Sequence, residues 1–556
     1  MKSINKYVTG IMLLCAMVSC NEDEFLKEVP KDFLGPESVY STVEGFEAGI
    51  AACHEAVRRE TNHDHHVTEW AGYYRTDCFW AGAPDIASRL SPQTLTPTES
   101  NIVRHWEWAY GELIPRANIV IYFAEKNSDI FLTEEQKNEY IAEAKFFRAY
   151  GHILLTTFFK NVPIADKHVV EPRYDFESSS REQVLDFALN DLKYASKWLP
   201  QADDVAYDGR IPKGAALHLL AETYLSLVVE NPELENYVDS AITATSKVIE
   251  SGQYQLMTER FGVGKNEPGD VFTDLFREGN QNRSNGNREC LWALQFTYGT
   301  SGGGFILEGD DILMFPGNGW PRVFCPGWFR IEDPDGNAGM LEQSDSLAHG
   351  PGWVNPTNYW EYEIWQSDWD NDTRNSRHNI RREWYYNNPE SSYFGQKIVY
   401  HQHLDTTYDY YPMIRKFDYA SNNGDPGIES IALDMYRLRF SEVLLLRAEA
   451  YLLNGEPQKA ANDINRVRER VNATQITASD VTLEYILDER ARELSIEEHR
   501  RKTLVRTGTY IERMQKYNHQ DGPEFQEYNR FWPIPQSAID QNVDNPDGIP
   551  QNEGYY

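Results

Sequence analysis

The residues with most chemistry to offer are tryptophans and tyrosines set among Gly, Pro, Asp, Asn and Arg rather than in apolar helical runs. Tyr73-Tyr74-Arg75-Thr76-Asp77-Cys78-Phe79-Trp80 is one such stretch. Gly317-Asn318-Gly319-Trp320-Pro321-Arg322-Val323-Phe324, leading to Trp328, is a second, and Trp353, Tyr359 and Trp360 follow it. A ring held in a loop can stack on the apolar C–H face of a sugar while neighbouring polar side chains bond the hydroxyls. One stacked ring contributes on the order of 1 kcal/mol, so several are needed for micromolar affinity. Trp80 and Trp320 are therefore the leading ligand-binding candidates, with Asp77 and Arg75 as polar partners and Trp328, Trp353 and Trp360 behind them. The Trp and Tyr of regular helices, such as Trp106 and Trp198, are expected to pack in the interior.

Other constellations carry less. His63-Asp64-His65-His66 has metal-ligating residue types, but adjacent spacing on a polar loop does not build a site. Asp368, Asp370 and Asp372 echo the opening of a calcium loop, yet Thr373 stands where Gly belongs and Asn379 replaces the closing Glu. Arg374, Arg377, Arg381 and Arg382 form a basic run, read either as a face paired with acids or as a contact for an acidic sugar. No metal or cofactor is expected. The sequence contains no zinc-protease helix or phosphate loop, and no residue is assigned a catalytic role. Its 86 acidic residues offer many spatial pairs for glycoside hydrolysis, but the sequence singles none out.

These loops need a scaffold, and helices supply it. Met435 to Asn472 reads as two helices: Leu444, Ala448, Tyr451 and Leu452 fall on one face, Gly455 and Pro457 break the pattern, and Ala460, Ile464, Val467 and Val471 resume it. Thr42–Glu60 with Asn101–Lys126, Glu134–Phe159 with Arg181–Trp198, and Arg210–Val229 with Tyr237–Glu250 give further pairs. Small and bulky residues recur at similar offsets, as in tetratricopeptide (TPR) helical pairs, which bury their apolar faces by stacking. From Gly252 to Ser430 helical periodicity gives way to Gly, Asn, Asp, Pro and aromatics; Cys290–Phe296 and Lys397–Tyr400 read as short strands. The expected fold is thus mainly α, a TPR-like helical-pair scaffold (42–251) with a loop-rich, mixed lobe (252–430) inserted before the last helix pair and tail (431–556).

A net charge of −33 argues against nucleic acid as partner. Lys2, Lys6 and the apolar Ile11–Val18 read as a signal peptide (1–19), too short to span a bilayer. Met17-Val18-Ser19-Cys20 resembles a bacterial lipobox, with Met at the usual Leu position, so Cys20 is the expected lipidation site and 20–41 the tether. Multiple acyl chains would hold the protein at a membrane. The acidic Asn21-Glu22-Asp23-Glu24 resembles a surface-export signal of Bacteroidetes-type lipoproteins. Cys53, Cys78, Cys290 and Cys325 suit either two disulfides or buried free thiols.

Several landmarks together resemble one family. They are the lipobox, Ala142–Tyr150 (AEAKFFRAY), Gly209–Ala216 (GRIPKGAA), Arg439–Glu449 (RFSEVLLLRAE), Asp488–Leu494 (DERAREL), Glu498–Arg501 (EHRR), Pro533–Pro535 and the closing Gln551–Tyr555. In that order they resemble the SusD/RagB family of outer-membrane nutrient-uptake lipoproteins. The resemblance implies a TPR-containing scaffold under a variable lobe, and a lipid-anchored, cell-surface protein that lids a TonB-dependent SusC-like transporter. It also implies capture of a glycan ligand without cleavage. It supplies no ligand residues, because the ligand-facing part varies. A peptide ligand, a surface glycoside hydrolase and a plain TPR adaptor are the alternatives.

Overall fold

The computed structural model describes residues 35–62, 71–82, 88–297, 318–342, 344, 346–419 and 431–555. The lipobox, Cys20 and His63–His66 lie outside them. The fold is mainly α, as expected. Helix α1 (Val43–Asn62) packs on α3 (Ile114–Lys126), which continues from α2 (Ser100–Glu107) through a π-helical turn at Trp108–Leu113. That irregular turn precedes Pro115, which lacks the N–H a regular helix would use there. Helices α4 (Glu134–Phe159) and α5 (Arg181–Trp198) follow, then α6 (Lys213–Glu230) and α7 (Tyr237–Ile249). Each pair leans on the next, and α7 leans on α8 (Phe440–Leu453), whose partner is α9 (Pro457–Arg470).

The helix ends follow local chemistry. The Thr133 hydroxyl accepts from the Gln136 N–H at 3.1 Å to open α4, and Ser180 with Gln183 forms a capping box on α5. Between α8 and α9 the turn needs a left-handed residue, which Gly455 supplies at φ 70°, and Pro457 starts the next helix. Ala448, Ala460, Ile464 and Val467, expected on the inner faces, are all fully buried.

The loop-rich lobe is stitched to this scaffold at its root. Strands β1 (Phe79–Ala81) and β3 (Val354–Pro356) form one antiparallel ladder, and β2 (Cys290–Leu294) pairs with β4 (Met435–Arg439), which runs directly into α8. The strand expected at Lys397–Tyr400 does not form. Lys397 makes only an isolated bridge to Tyr385, while Val399 and Tyr400 turn to solvent at 63% and 79% exposure, so that run has an apolar composition but no ladder to join. After α9 come α10 (Leu483–Glu493) and α11 (Arg500–Arg506), with the buried Leu494 and Ile496 between them. Helix α12 (Tyr510–Tyr517) follows, and the tail returns to the scaffold, stacking Trp532 on Phe158 with centroids 4.2 Å apart. Cys53, Cys78, Cys290 and Cys325 are all free thiols.

Where β4, α9, α10 and the lobe meet, charge replaces hydrocarbon. Arg439, wholly buried, donates to Glu289 at 2.5 Å, to Glu493 at 2.9 Å and to Glu497 at 2.5 Å. Arg470 bonds Glu289 at 2.9 Å and also Glu493, and Arg374 reaches Glu493 at 3.0 Å and Glu489 at 2.9 Å. Arg468 joins Glu489 at 2.7 Å to Asp368 at 2.5 Å. These partners bear on two sequence readings. Asp368 and Asp372 serve Arg468 and Arg374 rather than converging on a cation. Within the Arg run, Arg374 and Arg381 are paired with acids: Arg381 bonds Asp418 at 2.5 Å.

Removing one partner of a buried ion network leaves the others charged and unpaired, at a cost of about 3–5 kcal/mol. Arg439→Ala is expected to lower stability by that amount in urea unfolding; a loss under about 1 kcal/mol would show the network to be dispensable.

Burial alone would raise the carboxyls of Glu442, Glu489 and Glu493, but His218 and Arg490 around the first, and the arginines around the other two, hold all three below the ordinary 4.5. Such groups take up protons less readily folded than unfolded. Their stabilisation is complete above pH 4.5 and is lost as pH falls below it. The urea midpoint should therefore drop steadily between about pH 5 and about pH 3; a flat profile there would contradict the assignment.

Candidate ligand-binding site

The β1–β3 ladder carries the aromatic pair best placed to meet a ligand. Its register sets Phe79 opposite Pro356, Trp80 opposite Asn355 and Ala81 opposite Val354, and the Gly82 N–H donates to the Trp353 carbonyl at 3.0 Å, extending the ladder by one step. Because strand side chains alternate, Phe79, Ala81, Val354 and Pro356 face the core, whereas Trp80, Asn355 and Trp353 share the other face. Burial follows in part: Phe79, Ala81, Val354 and Pro356 are buried and Trp80 and Trp353 half-buried, while Asn355 on the second face is covered as well. The Trp80 indole N–H donates to the Pro356 carbonyl at 3.1 Å, which fixes its ring against the ladder.

The helix Trp320–Phe324 brings Arg322 over the Trp353 ring, Cζ to centroid 4.4 Å. Asn355 lies between the two tryptophans, 2% exposed, and its side-chain oxygen has no hydrogen-bond partner among the described residues. A Cβ at position 82 would sit 2.1 Å from that oxygen, so glycine is what lets the carboxamide cross there. Two half-buried aromatic rings and one guanidinium on one face can stack on a ring and donate hydrogen bonds to it.

The other expected ligand residues are placed differently, and each for a definite reason. Trp320, Trp328 and Trp360 are interior at 2%, 0% and 1% exposure. The indole of Trp328 donates to the Ala348 carbonyl at 2.7 Å, and that of Trp360 to the Ser495 hydroxyl. Asp77 is fully buried, held by Arg500 at 2.7 Å and Arg513 at 2.6 Å. Burial alone would raise its carboxyl, but the two guanidiniums hold it well below the usual range. Arg75 donates to Asp521 at 2.6 Å in a left-handed backbone turn with φ 52°. Both residues clamp the 71–82 segment to α11, α12 and the loop beyond α12. Of the expected set, Trp80 and Trp353 are the two tryptophans left half-buried, on one face of the ladder. Arg322 and Asn355 were not foreseen; the signal for Arg322 was its place within the Trp320–Trp328 aromatic stretch.

A cavity of about 520 Å³ lies elsewhere, on the scaffold between Trp106, Tyr110, Tyr174, Phe176 and Asn542. None of the expected ligand residues lines it. Its polar groups serve the fold: the Tyr110 hydroxyl donates to the Pro163 carbonyl at 2.5 Å, and Asn118 to the Ala165 and Lys167 carbonyls at 3.0 and 3.1 Å.

The architecture is thus a stack of helical hairpins bearing a loop-rich lobe with half-buried aromatics on one face. The family profile described as "SusD family" matches residues 271–555, and "Starch-binding associating with outer membrane" matches residues 36–225. The chain belongs to the SusD family. It is 24% identical over 552 residues to SusD-like protein P38 of Formosa agariphila, covering 93% of this chain and 94% of that one. It is 23% identical to the starch-binding protein SusD of Bacteroides thetaiotaomicron, covering 87% and 86%. Among solved structures, surface glycan-binding protein A of Bacteroides thetaiotaomicron, in complex with laminarihexaose, aligns at a TM-score of 0.68. That match has 20% identity and covers 92% of this chain and 99% of that one.

The two classes of tryptophan should separate on substitution. Trp320→Ala, Trp328→Ala and Trp360→Ala empty core volume and are each expected to cost about 3–5 kcal/mol in denaturant unfolding. Trp80→Ala and Trp353→Ala should each cost clearly less. Equal losses in both groups would make Trp80 and Trp353 core residues as well.

Proposed function

We propose that this protein captures an oligosaccharide or polysaccharide at the cell surface and passes it, uncleaved, to a TonB-dependent SusC-like transporter in the outer membrane. The observation that carries the reading is the Trp80–Trp353 pair on one face of the β1–β3 ladder, with Arg322 against one ring, in a chain that belongs to the SusD family. Rings of this kind offer the apolar face of a pyranose a surface to stack on, and the flanking guanidinium suits its hydroxyls. The names of relatives, starch-binding and glycan-binding, point to the same ligand class. Anchoring through lipid on Cys20 would keep the site at the membrane where a transporter could receive the ligand.

Capture without hydrolysis fits the local electrostatics. Asp77, two residues before β1, and Asp521, which accepts from the Ala81 N–H, are each neutralised by buried arginine. A glycosidase needs two carboxyl groups facing each other across the bound sugar. The test is affinity electrophoresis of the chain from Asn21 onward through gels containing starch, laminarin and other polysaccharides, with the gels assayed afterwards for reducing sugar. One polysaccharide is expected to retard the protein with no sugar released, and Trp80→Ala or Trp353→Ala to weaken retardation about three- to tenfold. Released sugar would favour a hydrolase, and retardation by none would favour a peptide ligand.

A further inference from the structure

A second aromatic platform stands on the lobe, built from residues outside the β1–β3 face. Among the described residues Trp369 is the one tryptophan more than a third exposed, at 39%, and its neighbour Tyr362 is 43% exposed. Their rings lie 6.2 Å apart, centroid to centroid, and within 12° of parallel. Exposed rings usually move; this pair is fixed from below. The Arg382 guanidinium packs against both, 4.7 Å from the Trp369 centroid and 5.4 Å from that of Tyr362. Asn375, itself buried, ties the parts together: its amide donates to the Trp369 carbonyl at 2.8 Å and its oxygen accepts from Arg382 at 2.6 Å. One residue before Trp369, Asp368 is locked by Arg468 and Thr474, both at 2.5 Å, so the segment is anchored directly to the buried charge network.

Beside the rings sits Glu361, 9% exposed, with no side-chain hydrogen bond among the described residues. Burial raises its carboxyl to about 8, with Arg382 pulling the other way, so at neutral pH it is largely a neutral carboxylic acid able both to donate and to accept. Rigid parallel rings next to a hydroxyl-compatible carboxyl are poorly explained as core packing, since both rings keep about two fifths of their surface in water. An isolated pair of exposed rings is also too small for a protein interface. The arrangement has the requirements of saccharide stacking: preorganised aromatic surface with one polar group at its edge.

We propose that Tyr362 and Trp369 form a second saccharide-contacting platform, taking a pyranose ring of the bound polymer by stacking, with Glu361 bonding its hydroxyls. The proposal rests on the glycan-capture reading above. Two contact platforms on one chain would hold a polymer more tightly than either alone, without adding affinity for a ligand short enough to occupy one.

The test takes the polysaccharide that retards the wild-type protein and compares it with its short oligosaccharides by calorimetry and affinity gel. Trp369→Ala and Tyr362→Ala are expected to weaken polymer binding about three- to tenfold, with Trp369→Phe close to wild type. Because both rings are exposed, the variants should unfold at the wild-type urea midpoint, which excludes misfolding as the cause. Wild-type polymer binding by both alanine variants would overturn the platform while leaving the Trp80–Trp353 site standing. If no polysaccharide retards even the wild-type protein, glycan capture fails, and the platform with it.

Discussion

The fold depends on the pairing of charges that have no access to water. Arg439 and Glu493 sit at the junction of β4, α9, α10 and the lobe, both without solvent exposure. A charge so placed is tolerable only when every partner is present and aligned. Glu493 is shared by Arg439, Arg470 and Arg374, which arrive from the start of α8, the end of α9 and the lobe. The same logic extends outward: Arg490 links Glu442 to Glu498, Arg506 reaches Glu449, and Arg500 with Arg513 captures Asp77. Geometry this demanding specifies one arrangement of lobe and scaffold, where an apolar contact would tolerate several.

That constraint explains which residues carry the family resemblance. Arg439, Glu442, Glu449, Glu489, Arg490, Glu493, Glu498 and Arg500 all lie in the quoted motifs, and all are buried participants in ion pairs. They identify a fold, and their side chains are taken up by one another. The residues argued to meet a glycan stand on the β1–β3 ladder and on the lobe turn, where the motifs are silent. Recognition of the family and recognition of the site therefore draw on different residues.

The scaffold was legible because its information is local. The three- and four-residue apolar spacing, the capping residues and the Gly455–Pro457 break each predict an element from its own neighbours, and the helices stand close to the expected limits. The site was legible only in part, because whether a loop tryptophan is core or platform depends on distant partners. Trp360 is buried against Ser495 from the segment after α10, and Asp77 is claimed by arginines 423 and 436 residues away. A Gly- and Pro-rich setting marks Trp320 and Trp328 as lying outside the long scaffold helices, but their short helical turns fold over the core rather than away from it. Trp369 and Arg382 show the reverse: nothing in their sequence setting separates them from structural neighbours, yet the turn that holds them turns outward.

The account stands on where a sugar sits. The most direct measurement is a crystal structure of the protein soaked with an oligosaccharide of whichever polysaccharide retards it. A pyranose is expected to stack on the Trp80–Trp353 face, intact and within hydrogen-bonding distance of Arg322. Sugar bound only on the helical scaffold, or found cleaved, would contradict it.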